Sequence, residues 1–107
     1  MPVWEYKLKN NTFNCVAIYR PEGEDCEPVV YATSTDKSIR EIKTVAVKTG
    51  DSSTLQARIG DRYDEGTSYS QILTAFQRKF LVAGVADNDK PASIQIFRSK
   101  FEKITEV

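Results

Sequence analysis

Ser68-Tyr69-Ser70-Gln71-Ile72-Leu73-Thr74-Ala75-Phe76-Gln77-Arg78-Lys79-Phe80-Leu81-Val82-Ala83-Gly84-Val85 is the stretch whose reading decides the fold. Ser68 and Gln71 have capping-box spacing, in which each side chain satisfies a backbone donor left unpaired at a helix start. Gly84 suits a left-handed helix stop, and Val85 after it can fold back on Phe80. At about 100° per residue, Tyr69, Ile72, Leu73, Phe76, Phe80 and Ala83 share one side, while Ser70, Thr74, Gln77 and Arg78 share the other. The spacing predicts a helix over 69–83 with one apolar stripe, which needs a sheet to lie against.

Working outward, the flanking sequence supplies strands. Asn10-Asn11 separates two strand-like runs, and asparagine tolerates the positive φ of a two-residue hairpin turn. With Lys9 facing Thr12, Leu8 falls opposite Phe13, Tyr6 opposite Cys15 and Trp4 opposite Ala17, all on one face, with Lys7, Lys9, Thr12 and Asn14 on the other. A third strand is expected over Glu27–Thr33, after the polar loop from Pro21 to Asp25. If Arg20 pairs near Cys26, Val29 and Tyr31 join the apolar face. The run from Ile39 to Lys48, the turn Thr49-Gly50-Asp51-Ser52 and the alternation Leu55, Ala57, Ile59 predict a second hairpin. Ser38 and Glu41 also have capping-box spacing, so a helical turn competes there. Asp87 to Pro91 reads as a loop and Ser93 to Phe97 as a strand with Ile94 and Ile96 inward. Phe97, Phe101 and Ile104 have helical spacing, yet the tail suits a final edge strand as well. The expected fold is α+β and two-layered: a curved antiparallel sheet of five to seven strands with one helix packed on it.

With 107 residues and 40% hydrophobic content, the chain has material for one compact domain and too little for two ordinary ones. Its longest uncharged apolar stretch, Phe80 to Ala86, is far below the ~20 residues that cross a bilayer as a helix, and the start lacks an export signal. A cytoplasmic protein without membrane contact is the expectation. Fifteen basic residues balance fifteen acidic ones, so no overall field favours phosphate backbones.

The chain has no histidine and only two cysteines, Cys15 and Cys26. Common zinc sites and imidazole-based catalytic triads are thereby excluded within one chain, and the cysteines read as free thiols. No cofactor or metal is expected. Glu22, Glu24, Asp25 and Glu27 form one acidic cluster and Asp61, Asp64 and Glu65 another; neither has calcium-loop spacing, and solvated loops explain both. Asn10-Asn11-Thr12 matches a glycosylation sequon and reads here as a tight turn.

Two surfaces could carry function. Trp4, Tyr6, Phe13 and Tyr31 could stack single-stranded bases, with Lys7, Lys9 and Arg20 meeting phosphates. The lysines point away from the aromatics in the inferred register, so an aromatic core is the stronger reading. At the C-terminal end of the helix, Leu81 and Val82 lie off the stripe, edged by Arg78. They are the candidate contact with another chain, unless the tail covers them. The expected function is a non-catalytic protein-binding module, an accessory, adaptor or inhibitor subunit, acting through a sheet edge or the helix end. Its partner would be another protein or a second copy. A single-stranded nucleic-acid binder is the alternative, and an enzyme using Tyr, Lys and carboxylates comes third.

Tyr69-Ser70-Gln71, Phe76-Gln77-Arg78, Gly84 and Ser93-Ile94 together resemble the C-terminal linker domain of phycobilisome rods, a small β-rich module with one helix. The loop from Gly84 to Ser93 is longer than that pattern allows, the first forty residues have no counterpart, and no residue role is carried over.

Overall fold

The computed structural model describes residues 4–19, 27–75 and 80–107. Its fold is all-β. Strands β1 (Phe13–Tyr19), β2 (Val29–Ser34), β3 (Ser38–Thr49) and β4 (Ser52–Tyr63) form one antiparallel sheet in that order. Strands β5 (Tyr69–Ala75), β6 (Phe80–Val85), β7 (Ser93–Arg98) and β8 (Glu102–Glu106) form a second, again in chain order. β5 runs close to β1 and β2, and the two inner faces enclose the core.

The expected helix is corrected to the β5–β6 hairpin. Its registers pair Ile72 with Ala83 and Thr74 with Leu81. Two features produced the helical spacing. A bulge between Tyr69 and Gln71 puts Tyr69 and Ile72, three residues apart, on the same buried face. In the uninterrupted apolar run after Phe80, the true period is two: Leu81, Ala83 and Val85 are buried, and Val82 and Gly84 between them are not. Gly84 is not among the glycines with positive φ. The backbone carbonyl of Ser68 accepts from the Ala86 amide and its own amide donates to Asp87 Oδ2, so an extension of the β5–β6 ladder replaces the capping box.

The first hairpin is also corrected. Asn10 has the positive φ expected of it, at 64°, but residues 4–12 form no strand, and β1 pairs with β2. Trp4, Tyr6 and Leu8 are still less exposed than Glu5, Lys7 and Lys9. Trp4 and Tyr6 reach the opposite face of the sheet from Cys15 and Ala17. The Trp4 indole donates to Thr44 Oγ1 at 3.0 Å, and Tyr6 meets the Phe13 ring at 6.2 Å. A bulge between Phe13 and Cys15 sets Phe13 opposite Ser34, on the outer face. Cys15 and Ala17 pack toward the core with Val29 and Tyr31.

The β3–β4 hairpin matches its sequence reading, with Thr49 paired to Ser52 and Gly50 at a φ of 66°. Only the first central residue has positive φ, the arrangement of a type II′ turn. No helical turn forms at Ser38–Glu41, which lies within β3. In β7 the expected inward pair is inverted: Gln95 and Phe97 are buried, whereas Ile94 is 49% exposed. The tail is the edge strand β8, entered through a tight turn at Ser99–Phe101 in which Lys100 and Phe101 both take positive φ.

Aromatic rings from both sheets meet in the core. Tyr63 packs edge-on against Phe97 at 4.8 Å, and Phe101 contacts Tyr31 at 6.0 Å and Phe97 at 6.1 Å. Leu81 belongs to this core at 5% exposure, whereas its neighbour Val82 faces outward. Leu81→Ala will therefore cost about 3 kcal/mol in urea unfolding, against about 1 kcal/mol or less for Val82→Ala. Equal losses would contradict the strand assignment.

Candidate interaction surface

Three polar or apolar groupings stand out, and each follows from its strand positions. In the β2–β3 turn, Asp36 accepts from Arg40 Nη2 at 2.6 Å, from Ser38 Oγ at 2.7 Å and from Ser34 Oγ. Arg62 on β4 approaches the same carboxylate at 3.2 Å. The Arg40 guanidinium, hydrogen-bonded to Asp36, holds that carboxyl well below the usual carboxylate range, with the two serine hydroxyls adding to the effect. Arg40, Ser34 and Ser38 are buried, and this group ties the turn together. Lys37, in a left-handed conformation, reaches Asp87 at 3.5 Å and links the turn to the β6–β7 loop of the second sheet.

A second group lies at the inner edge of the other sheet. Tyr69 Oη donates to Gln95 Oε1, and Glu106 accepts from Ser93 Oγ at 2.8 Å and from Gln95 Nε2 at 3.2 Å. Burial pushes the Tyr69 phenol far above its ordinary pKa. Lys90 Nζ donates to Thr67 Oγ1 and to the Gly66 carbonyl. The buried members, Thr67, Tyr69 and Gln95, thus find their partners within the group, as buried polar groups must. On β3, Glu41 accepts from Tyr31 Oη at 2.9 Å; a Cβ on Gly60 would overlap its carboxylate, so the glycine gives Glu41 its room.

The third grouping is open. On the outer face of the first sheet, Trp4, Ile18, Pro28, Val30, Thr44 and Leu55 line an apolar groove of about 320 Å³, with Glu27 at its rim. Beyond it β3 and β4 run on as a two-stranded arm. The β2 pairing ends at Val29–Lys43, and beyond it Thr44–Ala57 through Thr49–Ser52 pair only with each other. Six residues per strand carry the arm about 20 Å, at ~3.3 Å per residue. Among the described residues none from Lys43 to Tyr63 is buried, and Trp4 covers the outer face of the arm only in part, at Thr44 and Leu55. The molecule measures 53 × 33 × 20 Å.

β4 is the free edge of this arm. The edges of β1 and β5 run close to each other, and the β8 edge is short and carries Glu102, Lys103 and Glu106. Charge and brevity are devices that discourage stray strand pairing. The β4 segment from Ser52 to Ala57 has neither charge nor proline, and its bulge comes only later, near Gly60. In a two-residue hairpin the closing pair Thr49–Ser52 is hydrogen-bonded, so by alternation Ser53, Leu55 and Ala57 direct their N–H and C=O groups outward.

The residues singled out in the sequence separate widely. Leu81 is core, Val82 lines a shallow outer groove on the second sheet with Leu73 and Ile94, and Arg78 lies outside the described residues. Of the aromatic set, Tyr31 is 5% exposed in the core, and Trp4 and Tyr6 are half-buried on the outer face. Lys7 and Lys9 are exposed, Lys7 beside Glu5 at 3.8 Å, and Arg20 lies outside the described residues. So do Glu22, Glu24, Asp25 and Cys26. Asp64 pairs with Arg62 at 3.2 Å. Among the described residues no group of three or more His, Cys, Asp or Glu is placed to hold a metal ion, and no helix is long and apolar enough to cross a membrane. The β4 edge was visible in the sequence only as Ser52-Ser53-Thr54 following a turn glycine; that the strand is an edge is a fact of topology.

No family model matches the chain, and no curated protein or solved structure matches it. The resemblance to the rod-linker domain rested on a helix that the structure replaces with β5 and β6.

Proposed function

We propose that this chain is a non-catalytic protein-binding module whose partner adds a strand to β4. The observation that carries the reading is the uncharged, unbulged edge from Ser52 to Ala57, standing on an arm of which no residue is buried. An isolated two-stranded hairpin is marginally stable in water. An added strand would satisfy the outward N–H and C=O groups of Ser53, Leu55 and Ala57 and stiffen the arm, the mode known as β-augmentation. The apolar groove at Leu55 lies beside the edge and offers the incoming chain a place for a side chain. The nucleic-acid reading draws less support, because Tyr31 serves the core.

A benzophenone side chain installed at Gln56 will capture a polypeptide on illumination in the native cells, and the same probe at Glu102 on β8 will not. Ala57→Pro, which removes one outward N–H without touching the ladder to β3, will abolish the adduct. No adduct at Gln56, or salt-sensitive quenching of Trp4 fluorescence by an oligonucleotide, overturns the reading.

A further inference from the structure

Resting on the β4-edge reading, we infer that the strand added to β4 is β4 of a second copy, giving a two-fold dimer with one continuous eight-stranded outer sheet. A two-fold axis perpendicular to a sheet makes neighbouring strands antiparallel and keeps each face on its own side, so a residue can oppose only residues of its own face. Centred on Leu55, the register sets Leu55 opposite its own copy, Thr54 opposite Gln56, Ser53 opposite Ala57 and Ser52 opposite Arg58. Every pair joins like with like: apolar to apolar, small to small, polar to polar. No two like charges are opposed, the arrangement that would destabilise a strand pair.

The hydrogen-bonding phase agrees independently. Leu55, Ser53 and Ala57 are the residues whose backbone groups point outward, so Leu55–Leu55 and Ser53–Ala57 become hydrogen-bonded pairs across the axis. Moving the centre to Gln56 would oppose Asp51 to Asp61 and bring two acidic residues together. In the Leu55 register the apolar groove of each copy, with Trp4, Ile18, Val30 and Leu55, abuts that of the other, so one apolar strip crosses the dimer. The edge is thus occupied by the one strand guaranteed to fit it.

Sedimentation of the purified full chain from about 1 to about 100 µM will show a monomer–dimer equilibrium. Leu55→Lys, which opposes two cations on the axis, will remain monomeric with an unchanged far-ultraviolet spectrum. In a Cys15→Ala, Cys26→Ala background, Leu55→Cys will form a disulfide-linked dimer under mild oxidation while Thr54→Cys and Gln56→Cys stay largely uncross-linked, since only position 55 meets its own copy within disulfide reach. A monomer across the whole concentration range, or equal cross-linking at all three positions, overturns the inference. The Gln56 photoadduct separates the two levels: a product of two identical chains agrees with the dimer, an adduct to a different polypeptide overturns the dimer and leaves the edge reading standing, and no adduct removes both.

Discussion

Phe97→Ala will destabilise the protein by about 4 kcal/mol, measured as a fall in the urea midpoint with little change in slope. Phe97 is completely buried and touches Tyr63 from the first sheet and Phe101 from the turn before β8, so its ring joins three elements at once. Removing it leaves a cavity that two sheets, each held by its own ladder, cannot collapse to fill. For a domain whose total stability is of order 5–15 kcal/mol, that loss is a large fraction. Ile94→Ala three residues earlier will cost about 1 kcal/mol or less, because Ile94 stands half-exposed on the outer face. The contrast tests the β7 alternation directly: comparable losses would mean that the strand has the opposite face inward.

Asp36→Ala will cost about 3 kcal/mol, because it leaves the Arg40 guanidinium buried without its carboxylate. The serines can still accept from Arg40 but cannot neutralise it. The same carboxylate gives stability a pH dependence with a definite sign. Its pKa is depressed in the folded protein, whereas in the unfolded chain it titrates near the ordinary ~3.9. Below that value the unfolded state binds the proton first. The contribution is therefore complete above about pH 5 and lost progressively as pH falls through 4 toward the folded value. Unfolding between about pH 2 and 5 will show a shallower acid slope in Asp36→Ala than in the parent, with Asp87 and Glu106, also depressed, supplying the remainder. An unchanged slope would show that Asp36 is already free of Arg40 in solution.

The parts of this fold legible in the sequence are those where strand period and turn chemistry agree. Thr49-Gly50-Asp51-Ser52 marks a two-residue turn, Leu55, Ala57 and Ile59 alternate, and the β3–β4 hairpin follows. Where a bulge breaks the period, the reading failed in a specific way. The extra residue between Tyr69 and Ile72 mimics one turn of helix, and the run Leu81-Val82-Ala83, apolar at every position, gives no alternation to correct it. Asn10 takes the positive φ that asparagine tolerates, yet that does not say whether the returning chain pairs beside its neighbour or crosses over the sheet. Trp4 reaches Thr44, forty residues away, and only tertiary packing decides that. Gln95 and Phe97 inward with Ile94 outward has a similar cause: a buried amide is tolerable because Tyr69 and Glu106 satisfy it, and those partners are distant in sequence. As for the candidate site, local composition shows that a strand lacks edge protection, but which strand ends a sheet depends on the order of all four.

Both sheets are meanders in which the backbone ladders join strands consecutive in the chain. Every ladder can therefore close without waiting for a remote segment, and the entropic cost of loop closure is small at each step. What remains non-local is the docking of one finished sheet on the other, through Tyr63, Phe97 and Phe101 and the approach of β5 to β1. For a chain built wholly of strands this makes for brisk folding, with a transition state set by when the two halves meet rather than by the search for strand partners.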